Sequence, residues 1–372
     1  MEKLSFLLVF FLLHVTIFAQ TVGTKVELIK DGNFTNGIGL HDSGSSNPSI
    51  IDTLCRELIT DRNFLNGFYV NSQKDYANNF AFYKEGNFDY GNPNIVPVWA
   101  IDQWDSGPDL WVNRLFTDLG NGKYEYSDSN KSKWITIDTK APSISLKLDA
   151  KPYYGDNARK EGQPWPHLLV EMGRFVNLET IPAEEAKFYK VGEMEKLVVS
   201  MDVKLTDFHD WMGAKANKKL HAAQFTMYLY VSDSLGDFIW FGLPIFDSRF
   251  PSSTEYLAID GGKPDASGKM IYNLATKEYL GNKSFFKDGK PYPSNKSIHI
   301  QINVLPFIKR AFSIGVDKGW LKHTSANDLV VNGLNLGWEM PGTYKGEIVT
   351  KGLSVKSYIL GKKSKLLPAV SQ

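Results

Sequence analysis

The sequence predicts an all-β protein, a jelly-roll β-sandwich with a few short helical insertions, on three observations. First, after Asn63 the chain runs in short segments broken by turn signals such as DSGPD, GNGK, SDSNKS, YGDN, DGGKPDASGK and KDGKPYPSNKS. Gly, Asn and Asp tolerate positive φ and Pro fixes φ, which is what tight turns need. Second, several segments alternate with period two, so each has one buried and one wetter face. Third, helical spacing is confined to PAEEAKFYKVGEMEK, PFIKRAFSIGVDKGW and SIIDTLCREL, the last read as one short helix. Many short strands with few helices make a sandwich or jelly roll.

In chain order, Met1-Glu2-Lys3 leads into an apolar run ending at Ala19. A basic start, a short apolar stretch and a small residue read as a secretory signal peptide over residues 1–19, cut after Ala19. Export to the periplasm or the extracellular space is the expectation, with no membrane association after cleavage. Residues 20–62 read as an N-terminal extension, 63–360 as the jelly-roll domain and 361–372 as a basic tail. HDSGSSNPS, ending at Ser49, reads as a loop. Cys55 is the single cysteine, which excludes an intramolecular disulfide and leaves stability to a large core.

Two stretches nearly repeat: ELIKDGNFTNG from Glu27 and ELITDRNFLNG from Glu57, identical at eight of eleven positions. A solenoid needs three or more copies to bury a continuous core, and no third copy occurs. Each copy has an apolar pair, an Asp-x-Asn-Phe turn and a closing Asn-Gly, so it reads as one device, used twice, that leads into a strand. A structural calcium site is the alternative, because Asp and Asn in a tight turn offer oxygen ligands.

Composition narrows the function. A net charge of +1 without a long basic stripe excludes a nucleic-acid partner held by charge. With 9 Trp, 17 Tyr and 23 Phe, the aromatic content either fills a large core or leaves flat platforms for sugar rings. The wet strand faces lean towards sugars. HAAQFTMYLYV alternates Phe225, Met227 and Leu229 with Gln224, Thr226, Tyr228 and Tyr230. SIHIQINV alternates four aliphatic residues with His299, Gln301 and Asn303. LNLGWEM sets Leu334, Leu336 and Trp338 against Asn335 and Glu339. Gln, His, Asn, Tyr and Glu hydrogen-bond hydroxyls and can move protons.

GQPWPHLLVEMGRF carries the first candidate acid. Alternation puts His167, Leu169 and Glu171 on one face, and Pro-Trp-Pro stiffens the approach around Trp165. A carboxyl among apolar residues should titrate high, which suits protonation of a glycosidic oxygen; pairing of Glu171 with Arg174 is the structural alternative. Glu339, beside Trp338, and Asp247, with Arg249 nearby, are the second carboxylates. No His-Glu-x-x-His, cysteine ligand cluster, nucleophile elbow or phosphate-cradling Gly loop occurs. No metal centre or cofactor is therefore expected, apart from the calcium alternative.

Together, VNGLNLGWEMPGTYKGEIVTKGLSVKSYIL, VWAIDQWDS and WPHLLVE resemble secreted bacterial jelly-roll proteins of the concanavalin-like lectin/glucanase type, over roughly Phe64 to Leu360. That resemblance implies the fold and a carbohydrate ligand, and spans lectin-like modules, hydrolases and polyuronate lyases. The Glu-x-(Asp)-x-x-Glu strand of one glucanase family is absent, and His299 and Gln301 stand in the reverse order of a lyase strand.

The first expectation is an exported enzyme cleaving a polysaccharide: Glu171 as acid, Glu339 or Asp247 as base or nucleophile, and Trp165, Trp240, Tyr228 and Tyr230 as platforms. His167, Gln224 and Arg249 complete the binding set. In a lyase variant, His299 or a Tyr takes a proton while Gln301, Asn303 and an Arg neutralise a uronate carboxylate. The other class is a polysaccharide-binding protein that uses the same face without cleavage.

Overall fold

The computed structural model describes residues 53–73, 82–104, 109–112, 114–261, 267–322 and 325–361. The segment expected to be a signal peptide, the first copy at 27–37, the expected loop ending at Ser49 and the tail beyond residue 361 lie outside the described residues.

The chain opens with β1 (Thr53–Glu57), the hairpin strands β2 (Phe68–Gln73) and β3 (Phe82–Phe88), and β4 (Trp99–Trp104), parallel to β2. An antiparallel meander follows: β5 (Arg114–Gly120), β6 (Lys123–Asp128), β7 (Lys133–Asp138) and β8 (Ser143–Asp149). After α1 (Lys151–Tyr154) come β9 (His167–Met172), α2 (Ala183–Ala186) and the long β10 (Met194–Asp210). Next are β11 (Gln224–Ser232), β12 (Phe238–Asp247), β13 (Tyr256–Ile259), β14 (Met270–Asn273) and α3 (Lys277–Leu280). A small hairpin of β15 (Phe286–Lys287) and β16 (Lys290–Pro291) precedes β17 (Ile298–Asn303) and α4 (Leu305–Asp317). The described chain closes with β18 (Val330–Glu339) and β19 (Tyr344–Leu360).

Two sheets form the sandwich. The first has 8 strands in the order β17-β10-β19-β8-β7-β6-β5, with β1 added on β19; the second has 9, in the order β13-β14-β12-β11-β18-β9-β4-β2-β3. Their apolar faces meet as the alternation requires. Val199, Met201, Val203 and Leu205 of β10 and Phe225, Met227 and Leu229 of β11 are all buried in one core. Trp338 locks the layers together: it is fully buried, packs edge-on against Phe225, and its indole N–H donates to the Leu146 carbonyl in β8 at 2.8 Å. An indole must place its donor when buried, and here the acceptor lies in the opposite sheet.

Two helix expectations are corrected. SIIDTLCREL contains β1 instead of a helix, since Thr53–Glu57 pairs residue by residue with Leu360–Lys356 of β19. Strand pairing satisfies that backbone, and tertiary context overrides a weak local helical spacing. PAEEAKFYKVGEMEK is helical only through α2 and a 3₁₀ turn at Lys187–Tyr189, after which β10 begins at Met194. PFIKRAFSIGVDKGW does form α4. The sandwich also starts ahead of residue 63, because β1 belongs to a sheet and Leu58 and Ile59 belong to the core.

The second copy of the doubled stretch explains its own composition. Glu57 accepts the Val355 N–H at 2.8 Å, Leu58, Ile59 and Phe64 are buried, and Gly67 has φ +64°. The Asp61 carboxylate accepts the Leu65 and Asn66 N–H groups, one on each oxygen, both at 2.9 Å. These oxygens close a turn, so the Asp and Asn of this copy have a structural use that needs no bound ion. The positions that differ from the first copy, Thr60, Arg62 and Leu65, are exposed or half-exposed, so the shared residues include those that the fold uses.

Candidate functional site

The outer face of the nine-stranded sheet gathers most of the predicted residues. Pairing registers put Glu171 opposite Ala100 on one side and Asn335 on the other. The row continues through Tyr228, Gly242, Asn273 and Tyr256 in one direction, and through Tyr69 and Asn87 in the other. Residues directly opposite across strands share a face, so this one polar row crosses all the strands of the sheet.

Glu171 is the electrostatic centre of the row. Burial pushes its carboxyl up to about 7, although a hydrogen bond with Tyr230 favours the charged form. Burial and the Glu171 charge in turn push the Tyr230 and Tyr69 phenols above their usual range. The side chain leans along its strand, since a Cβ on Gly173 would lie 2.8 Å from Glu171 Oε1. Arg174, the alternative partner, is exposed and forms no ion pair with Glu171 among those described.

Aromatic rings border the carboxyl. Trp240 meets Tyr230 edge-on at 5.0 Å and Tyr228 at 6.1 Å, with Phe238 at 4.7 Å. All four rings are only part-buried. Gly242 lets Tyr228 and Asn273 close over the floor: a Cβ there would sit 2.1 Å from Asn273 Oδ1 and 2.7 Å from Tyr228 Cε1. The side-chain oxygens of Asn87, Asn335 and Asn273 are buried and accept no hydrogen bond from the described residues. Buried acceptors of this kind suit a ligand rich in hydroxyl donors.

A second row crosses the other end of the face: His167, Glu339, Gln224 and Asp247. Trp165 donates its indole N–H to Glu339 Oε2 at 3.2 Å, and Arg159 lies 4.7 Å from the Trp165 ring centre. His167 Nε2 is 3.7 Å from the same carboxylate oxygen. Asp247 is gripped by Arg249, with Nη2–Oδ2 at 2.5 Å and Nε–Oδ1 at 2.9 Å, and accepts from Gln224 Nε2 at 3.1 Å.

This geometry corrects the second-carboxylate expectations. Glu339 pairs with His167, four residues from Glu171, which is about 13 Å along the strand, whereas glycosidase carboxyl pairs lie about 5–9.5 Å apart. The Glu171 side chain leans further from it. Asp247 and Arg249 are a structural ion pair, each engaged by the other. His299, Gln301 and Asn303 do not join the face at all. They lie on β17, at the edge of the other sheet, where His299 Nδ1 contacts Asp202 at 2.9 Å and Asn303 Oδ1 accepts the Leu197 N–H at 3.0 Å. The lyase constellation is therefore not assembled.

The sequence reading passed over Asp102, Asn273 and Tyr69 as site residues. Asp102 pairs with Leu169, two residues from Glu171 on the neighbouring strand, and is fully buried on the same face. Such diagonal neighbours lie about 7–8 Å apart at Cα. Its signal was the single charge in WAIDQW, opposite Trp99 and Ile101, but nothing in sequence says that β4 lies beside β9.

No protein-family model matches the chain, and no curated protein matches its sequence. Solved structures similar to it include the xyloglucanase domain of NopAA, a type three effector from Sinorhizobium fredii, in complex with cellobiose. That match has 12% identity and TM-score 0.33, covering 70% of this chain and 92% of that one. A metagenome-derived glycoside hydrolase family 12 endoglucanase matches at 12% identity and TM-score 0.34, over 70% and 97% of the two chains. The native family 12 xyloglucanase from Bacillus licheniformis matches at 10% identity and TM-score 0.36, over 70% and 99%. Among the described residues no group of three or more His, Cys, Asp or Glu side chains is arranged to hold a metal, and no helix is long and apolar enough to cross a membrane.

Proposed function

We propose that the outer face of the nine-stranded sheet binds a polysaccharide and cleaves its glycosidic bonds, with Glu171 as the general acid. The observation that carries this reading is a carboxyl held at about 7 by burial, inside a cross-strand row of Tyr and Asn side chains bordered by Trp240. An acid that keeps its proton near neutral pH can protonate a leaving glycosidic oxygen. Tyr230 holds the carboxyl in place, Asn335 and Asn273 offer acceptors to sugar hydroxyls, and Trp240 and Tyr228 supply apolar surface for a ring. Asp102, the diagonal neighbour, is the partner carboxylate in this proposal. Export from the cell, expected from the first 19 residues, would place the protein where polysaccharides are met.

One observation favours a second reading, binding without cleavage. Asp102 is fully buried, Glu339 is distant and Asp247 is ion-paired, so no second carboxylate stands open beside Glu171 among the described residues.

One experiment separates the two. The mature protein is incubated with a panel of neutral, uronate-containing and sulfated polysaccharides, and reducing ends and affinity-gel retardation are both followed. New reducing ends, lost in Glu171→Gln and in Asp102→Asn while retardation persists, support cleavage by this pair. Retardation by one polysaccharide with no reducing ends from any replaces the enzyme by the binder. Neither signal with any polysaccharide refutes both.

A further inference from the structure

We infer that β5 is a pairing edge through which two copies of this chain associate, continuing the eight-stranded sheet from one copy into the next. β5 ends that sheet, pairing only with β6 among the described residues, and each of its seven residues is exposed. A strand exposed on both faces projects past the covering layer. Its backbone donors and acceptors on the outer side form a ready template for another strand. The apolar content is high for an exposed edge: Leu115, Phe116 and Leu119 are 52%, 43% and 50% exposed. Phe116 is backed by Tyr126, ring centres 4.8 Å apart, so its outward surface is held in place.

The sequence of β5 selects its own copy as the partner. A two-fold axis through Phe116 in an antiparallel pair sets Phe116 against Phe116, Leu115 against Thr117, and Arg114 against Asp118. The opposite charges therefore meet twice, once on each side of the axis. Arg114 is held at the edge, its guanidinium 3.6 Å from the Trp111 ring centre and donating to the Trp111 carbonyl at 3.2 Å. A contact built on one seven-residue strand falls below the area of stable dimers, so the association is weak and depends on concentration. This inference does not depend on the proposed activity, which uses the other sheet.

Sedimentation velocity of the mature protein across the micromolar range tests it, together with hydrogen exchange at β5. A concentration-dependent dimer is expected, with β5 amides slowing as it forms. Arg114→Asp and Asp118→Arg each turn two attractions into two like-charge pairs and weaken the dimer about tenfold; the double exchange restores it. Thr117→Pro, at an exposed residue of the edge strand, abolishes it while the circular dichroism is kept. A monomer at all concentrations overturns the inference, as does a dimer whose affinity the charge exchanges leave unchanged. Amides of β5 already protected in the monomer would also overturn it, since another part of the chain would then cover the edge.

Discussion

Glu171→Gln should stabilise this protein at high pH and leave it nearly unchanged at low pH. Burial raises the folded-state carboxyl from 4.5 to about 7. An acid whose folded pKa lies above its unfolded value loses its proton first in the unfolded state. Stability therefore falls as pH rises from about 4.5 towards 7 and stays lowered above that. At about 1.4 kcal/mol for each tenfold change, the cost above pH 7 is about 3 kcal/mol. Gln has nearly the same shape, can still accept from Tyr230, and never ionises. Thermal unfolding of both proteins between pH 4 and pH 9 is the assay. With roughly 2 °C gained per kcal/mol in a domain of this size, the variant should melt about 6 °C higher at pH 8 and within about 1 °C at pH 4. An equal melting difference at both pH values would refute the reasoning, because a packing effect does not titrate between 4.5 and 7. Loss of activity in the same variant would place this destabilised carboxyl among the groups that function maintains at a cost in stability.

Removing the Tyr230 hydroxyl deletes a hydrogen bond to the charged carboxylate, so in Tyr230→Phe the Glu171 carboxyl should titrate still higher than about 7; carbon NMR of the labelled carboxyl checks it, and a downward move contradicts it. Arg249→Ala leaves the buried Asp247 without its ion pair and should cost about 3–5 kcal/mol in urea unfolding, a value near zero contradicting the reading of that pair as structural. Gly242→Ala puts a methyl 2.1 Å from Asn273 Oδ1 and should displace Asn273 and Tyr228 from the floor. Polysaccharide retardation should then weaken about tenfold, the equivalent of one or two hydrogen bonds, with the fold kept by circular dichroism.

Much of this protein was legible in its sequence because period-two alternation is a local property. Phe225, Met227 and Leu229 had to share a face, and Gln224, Thr226, Tyr228 and Tyr230 had to share the other, whichever strands became neighbours. The same reasoning set Glu171 apart from Leu168, Val170 and Met172, and a carboxyl among apolar strands had to titrate high wherever it was buried. Helical spacing over a single turn was less informative: β1 pairs with β19, some 300 residues later, and that long-range ladder outweighs the local preference of SIIDTLCREL. Function depends on which strands lie side by side, and that was beyond sequence. Alternation allowed Glu171, Glu339, Asp247 and His299 to be combined freely. Register then put Glu339 about 13 Å along the strand from Glu171, locked Asp247 to Arg249 and sent His299 to the other sheet. It also brought Asp102, Asn335 and Asn273 to the face of Glu171 from three strands far apart in the chain. The sequence by itself determined which side of each strand a residue occupies, because backbone pleating alternates side chains. The tertiary structure decided which residues meet, because contacts across a sheet follow the order and register of its strands.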